Sequence, residues 1–247
     1  MSDAPAQLIS EYCENGYTVL PAAVPEAVVN DARRTVQNNL DRMGQTRAAA
    51  HSYHLAGFDR FTVFGDLHAS LSKNERVGDF LSLLYGSAGF REIGLTDITV
   101  NRSQQWHSDL LRGPYSGFLA EVNPWAKGTV PCVKALLYLQ SGKSLRIIPG
   151  CHLSETPLDD AEIKKKVEGN DVTQLSLSAG DVVMMDIRSV HRGSTDEEMS
   201  RASLATDPKI LVSCVFGANG SRFADAMEKG NQVRMSDWDK RYLTRRT

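Results

Sequence analysis

Cysteine is scarce in this sequence. The four residues Cys13, Cys132, Cys151 and Cys214 are scattered through 247 positions and form no CxxC pair. That pattern excludes a disulfide scaffold and a zinc knuckle, and it reads as reduced thiols. Long apolar runs are also lacking: the longest, such as 210–216, are strand-sized and far below the ~20 residues that cross a bilayer. Positive charge is not in excess. Lys and Arg number 28 against 30 Asp and Glu, so the formal net charge of -2 offers little to a nucleic-acid backbone or an anionic membrane. The opening MSDAPAQLISEYCENG has neither the basic stretch nor the apolar core of a leader peptide. The expectation is a cytoplasmic protein, monomer or homodimer, whose partner is a small molecule. Repeats and low-complexity segments are absent, and 41% hydrophobic with 23% charged residues excludes an intrinsically disordered chain.

What is present divides into a helical part and a strand-rich part. GYTVLPAAV (16–24) reads as a short strand and turn. PEAVVNDARRTVQNNLDRM (25–43) starts on a proline and spaces Val28, Val29, Ala32, Val36 and Leu40 along one helical face. A second helix is expected over 73–85 with Phe80, Leu81, Leu83 and Leu84 inward. From about residue 91 short apolar runs follow, at 91–100, 130–140, 145–150, 173–187 and 209–217. Turn signals separate them at Ser141-Gly142, Pro149-Gly150, Ala179-Gly180-Asp181 and Asp207-Pro208. The fold class is therefore mainly β with flanking helices, a sandwich or barrel. We expect one domain over 1–247: helical support to about 90, a strand core over about 91–217, and a C-terminal segment over 218–247. The charged stretch 159–168 reads as solvated surface.

The chemistry concentrates in Trp106-His107-Ser108-Asp109. Side chains alternate along a strand, so His107 and Asp109 share a face and suit one metal ion. A second segment, GDVVMMDIRSVHRGS (180–194), runs from a Gly-Asp turn through a buried strand to His191. With the two segments side by side, His107, Asp109 and His191 form a two-histidine, one-carboxylate face that suits non-haem Fe(II).

The ordered set WHSD, LYLQSGKSLRIIPGCH (137–152) and GDVVMMD…HRGS, preceded by ENGYTVLPAAVPEAVV (14–29), resembles the phytanoyl-CoA-hydroxylase-like family of Fe(II)/2-oxoglutarate dioxygenases. The resemblance spans roughly residues 10–217. It implies a double-stranded β-helix, a cupin-like jelly roll, with Fe(II) on His107, Asp109 and His191, and with 2-oxoglutarate and O₂ as co-substrates. It implies oxidation of a C–H bond, most simply hydroxylation, of a secondary metabolite or modified amino acid. It also implies a cation for the distal carboxylate of 2-oxoglutarate. Arg201 with Ser203 has the family spacing from His191; Lys209, heading the last apolar run, is the competitor. Gln104 is placed to hydrogen-bond the co-substrate near iron, and Lys134 is a further cation, equally readable as an edge lysine. Asp109 leaves no ligand position for halide, which excludes halogenation. Cys151 stands where the family more often has serine. His152 is expected to be structural, and His51, His54 and His68 to lie on the surface. The mouth of the site is expected from 110–129, carrying Arg112, Tyr115, Phe118 and Trp125, and from 57–67 and 217–234. A cupin-like metal enzyme without 2-oxoglutarate, and a non-catalytic jelly-roll binding protein, are the alternatives.

Overall fold

The computed structural model describes residues 5–45, 51–200 and 206–242. An eight-stranded antiparallel sheet is its frame. Its order is β1 (Tyr17–Leu20), β9 (Val182–Asp186), β6 (Cys132–Tyr138), β11 (Ile210–Ala218), β5 (Asp97–Val100), β3 (Tyr53–Ala56) and β2 (Gly44–Gln45), and β4 (Phe90–Glu92) also pairs with β11. A smaller sheet faces it, in the order β10 (His191–Arg192), β7 (Arg146–Ile147) and β8 (Thr173–Gln174). Two facing antiparallel sheets, with the chain alternating between them, make the jelly roll.

Alternation along β6 shows how the layers are built. Val133, Ala135 and Leu137 point to one face and join Val182, Met184, Val212 and Cys214 in a core shared with the helices. Those helices are α1 (Pro5–Asn15), α2 (Glu26–Gln37), α3 (Gly65–Ser72) and α4 (Glu75–Tyr85). They contribute Tyr12, Val29, Val36, Leu71, Phe80 and Leu81. Each such fully buried side chain is worth roughly 1.5–3 kcal/mol. Leu136 and Tyr138 point the other way and pack with Leu145, Ile147 and Leu177 between the sheets. Lys134 shares that inner face.

Two helical expectations need correction. On α4, Val77 is buried and Leu83 is 54% exposed, so the inward stripe runs Val77, Phe80, Leu81. On α2, Val28 is exposed, and the helix ends at Gln37, before Leu40. The charged stretch 159–168 is α5 (Asp160–Glu168), opened by a reciprocal capping box between Asp159 and Glu162. The C-terminal segment is a long helix, α6 (Arg222–Tyr242), which the sequence reading left without structure.

Three local devices deliver His191 to its position. Asp181 fixes the turn before β9: its carboxylate accepts from Ser178 N at 2.7 Å and from Ala22 N at 2.8 Å. Gly16 lies under the turn after β9, where its carbonyl accepts from Asp186 N and from Ser189 Oγ. Its φ is +83°, and a Cβ there would stand 2.4 Å from Ser189 Oγ, so only glycine fits. Cys151 is more than a turn residue: its Sγ accepts from Val190 N at 3.1 Å, one residue before His191.

The same turn is held by a buried ion pair. Asp186 is 1% exposed and accepts from Arg188 Nε at 2.9 Å and Nη2 at 2.6 Å. Arg188 also donates to Pro124 O and lies over the Trp125 ring. Arg188→Ala would strand the buried carboxylate, and we expect a loss of about 3–5 kcal/mol. Chemical denaturation checks this; an unchanged midpoint would mean that the pair carries no stability.

Candidate metal centre

His107 and His191 face each other across the gap between their strands. His107 N donates to His191 O at 2.9 Å, His191 N donates to His107 O at 2.8 Å, and the rings lie 4.3 Å apart. Asp109 N donates to Ile187 O, which carries the pairing one step further and turns the Asp109 side chain to the same face. The three ligand atoms lie within 4.8 Å of one another. His107 Nε2 is 3.8 Å from Asp109 Oδ1, and His191 Nε2 is 3.5 Å from Oδ2.

The hydrogen bonds around the triad suit a metal. His107 Nδ1 lies 2.7 Å from Gln105 O, and His191 Nδ1 lies 3.0 Å from Ser189 O. A carbonyl only accepts, so each Nδ1 carries the proton and each Nε2 turns a lone pair toward Asp109. Asp109 Oδ1 takes the Lys134 ammonium at 2.9 Å, while Oδ2 is buried and has no hydrogen-bond partner. Lys134 is thus no edge lysine; it pairs with Asp109 from a central strand. Two lone pairs and one orphaned carboxylate oxygen converge, which is the donor set of a two-histidine, one-carboxylate metal site.

Protonation states agree. Burial pushes the His107 imidazole down to about 3, helped by His191, and burial also lowers His191. Burial raises Asp109, but Lys134 and the two histidines outweigh it and hold the carboxyl well below its usual range. Metal therefore meets two neutral imidazoles and a carboxylate at pH 7. In the metal-free protein, unfolding frees His107 to take up a proton below about 6.5, whereas the folded form waits until about 3. The unfolded state then binds more protons, so stability falls as pH drops from about 6.5 toward 3, by up to ~1.4 kcal/mol per pH unit. Denaturation at pH 7.5 and 5.5 measures this. The slope should shrink in His107→Gln; an equal slope in that variant would contradict the assignment.

The triad lines a cavity of about 310 Å³ whose wall also includes Thr99, Arg102, Gln104, Arg112, Lys134 and Arg234. Of the other expected residues, Gln104 sits three positions before His107 on the cavity wall. Lys209 lies on the inner face of the sheet, two residues before the cavity-lining Leu211. Its Nζ donates to the hydroxyls of Ser144 and Ser194, and burial pushes it down to about 8. Among the described residues no carboxylate pairs with it directly. Arg201 and Ser203 lie outside the described residues.

Several expected neighbours of the site are elsewhere. Phe118 and Trp125 do not line the cavity; Trp125 lies under Arg188, and Phe118 is exposed on a short helical stretch. The stretch 57–67 supplies Phe58, Phe64 and Leu67 to the core. His54 and His68 are not free surface residues: they bond Asp97 at 3.2 Å and Glu92 at 2.8 Å. His51 is exposed, and His152 is buried and bonded to Cys13 O, as a structural residue should be. Arg234 lines the cavity from the end of the expected stretch 217–234, and Arg112 and Tyr115 line it from 110–129; Asp97 and Arg102 line it too and lie outside the expected stretches.

No family model matches this sequence, and no curated protein matches it. Solved structures do. The non-heme alpha-ketoglutarate-dependent epimerase SnoN from nogalamycin biosynthesis superposes with a TM-score of 0.63 at 16% identity, over 87% of this chain and 80% of that one. AviO1 from Streptomyces viridochromogenes Tue57 gives 0.61 at 16%, over 90% and 97%. HygX from Streptomyces hygroscopicus, crystallised with nickel, 2-oxoglutarate and hygromycin B, gives 0.60 at 15%, over 87% of each chain. The likeness shows the fold.

Proposed function

We propose that this chain is, over its whole length, a non-haem Fe(II)- and 2-oxoglutarate-dependent oxygenase that hydroxylates a C–H bond of a small molecule, a secondary metabolite or a modified amino acid. The observation that carries the reading is the convergence of His107 Nε2, His191 Nε2 and the partnerless Asp109 Oδ2 on a cavity wall. The structural neighbours lend support: SnoN is an alpha-ketoglutarate-dependent epimerase from nogalamycin biosynthesis, and HygX was crystallised with 2-oxoglutarate and hygromycin B bound.

In this reading His107, Asp109 and His191 would hold the iron, a donor set that suits non-haem Fe(II). Lys134 keeps Asp109 Oδ1 occupied, so that Oδ2 is the oxygen offered to metal. Lys209 would receive the distal carboxylate of the keto acid: its half-buried ammonium has the hydroxyls of Ser144 and Ser194 as partners and, among the described residues, no directly paired carboxylate, so an anion would complete it. Arg201 and Ser203 remain the competing pair by spacing. Gln104 offers its carboxamide beside the metal. Leu95, Leu136, Leu211 and Val215 exclude water from the cavity. When bound, iron and keto acid together supply the oxidising power for C–H cleavage.

Incubation with Fe(II), 2-oxoglutarate and O₂ should release succinate, slowly without the prime substrate and faster with it. Metal binding without succinate would favour the cupin-like reading. Failure to bind metal would favour a binding protein.

A further inference from the structure

The cavity is positively charged in a chain whose net charge is negative. Arg102, Arg112, Lys134 and Arg234 line it, against the two carboxylates Asp97 and Asp109. Lys134 pairs with Asp109 and Arg234 lies against Asp97, and the two charges of Fe(II) would cancel those of a bound keto acid, so the wall keeps a formal positive charge. Among the described residues, and apart from the two histidines of the triad, its aromatic lining is Tyr115 and Tyr138. A flat apolar substrate would find little stacking surface and would offer no partner to the Arg112 guanidinium, which no carboxylate among the described residues pairs with.

Two of the cations stand together. Arg112 follows Asp109 by three residues, on a segment that docks against α6. Leu111 packs where Gly230 has no side chain, and Tyr115 Oη donates to Asp237 Oδ2 at 3.1 Å. Gly230, Arg234 and Asp237 share one helical face, so the docked segment brings Arg112 to the same end of the cavity as Arg234. Arg234 is held in place on the cavity wall: its Nε donates to Asn231 Oδ1 at 3.0 Å, and its Nη2 pairs with Asp97 Oδ1 at 3.2 Å. Asp97 is itself held by His54. Arg112 donates to Ser108 O, and no carboxylate among the described residues pairs with it.

We infer that the prime substrate is an anion, a carboxylic acid or phosphate monoester, whose charged group is bound at the cavity mouth by Arg112 and Arg234. Guanidinium forks suit both groups because they donate in pairs to two oxygens. The inference rests on the oxygenase reading for the identity of the site.

The test uses the full chain loaded with cobalt(II) and 2-oxoglutarate, with inorganic phosphate and ¹³C-acetate as probes. Cobalt(II) at the triad should speed the ³¹P or ¹³C relaxation of an anion held at the mouth, saturably. Arg112→Gln and Arg234→Gln should each weaken that binding about 10- to 100-fold, and Arg112→Lys should retain part of it. Metal loading, followed by equilibrium dialysis, reports that the variants are folded. The tighter of the two probes tells a phosphate monoester from a carboxylic acid. Keto-acid binding with no saturable relaxation of either anion would overturn this inference and leave the oxygenase reading intact. So would relaxation unchanged in both Gln variants. Arg112-dependent phosphate binding without keto-acid binding would do the reverse.

Discussion

His191→Ala is expected to abolish metal-dependent turnover and to weaken iron binding by well over 100-fold. Loss of a residue that merely orients a metal ligand already costs about 10–100-fold, and His191 is itself a proposed ligand. It is also the most buried member of the triad, 4% exposed, and its backbone is locked to His107 in both directions. The alanine variant keeps those backbone bonds, so the fold should survive while the donor is lost. Asp109→Ala should behave alike, with an added effect: Lys134 would be left buried without its carboxylate. Metal content after dialysis, read beside succinate release, checks both variants. Retained iron and activity in either one would remove that residue from the site.

Lys209→Met is expected to raise the KM for 2-oxoglutarate far more than that for the prime substrate. Truncating one partner of a buried, hydrogen-bonded charge pair costs about 2–5 kcal/mol, or roughly 30- to 4,000-fold in affinity. The ligand-free variant should be no less stable than the parent, because a half-buried ammonium that has the Ser144 and Ser194 hydroxyls and, among the described residues, no directly paired carboxylate is itself costly. That combination separates lost binding from misfolding. Arg201→Ala should leave the KM for 2-oxoglutarate nearly unchanged. The opposite pattern, with Arg201 essential and Lys209 silent, would hand the role to Arg201 and Ser203.

The convergence of the three proposed ligands was readable in the sequence because it obeys local rules. His107 and Asp109 are two apart on an extended segment, and His191 closes a buried strand that starts from a Gly-Asp turn. The strands themselves were visible as apolar runs between turn residues. The rest of the cavity was legible only as stretches, 110–129 giving Arg112 and Tyr115 and 217–234 giving Arg234, and not as pairings. Asp97 and Arg234 meet across 137 positions, and the helix carrying Arg234 mixes small and polar residues with its buried Phe223, Met227 and Trp238. Aromatics near a ligand segment suggested a mouth, yet Trp125 serves Arg188 instead, through a contact between residues 63 apart. Lys134 was readable equally as a site cation and as an edge lysine, since nothing local shows that β6 runs between β9 and β11 or that Asp109 lies opposite.

The central claim is that His107, Asp109 and His191 hold an open-faced iron to which a keto acid binds. Its most direct test is anaerobic: Fe(II) is added to metal-free protein, then 2-oxoglutarate, and the visible spectrum is followed. A weak charge-transfer band should appear only after the keto acid, saturate at one equivalent of each, and be absent in His191→Ala. Iron that binds with no band on adding 2-oxoglutarate would contradict the claim.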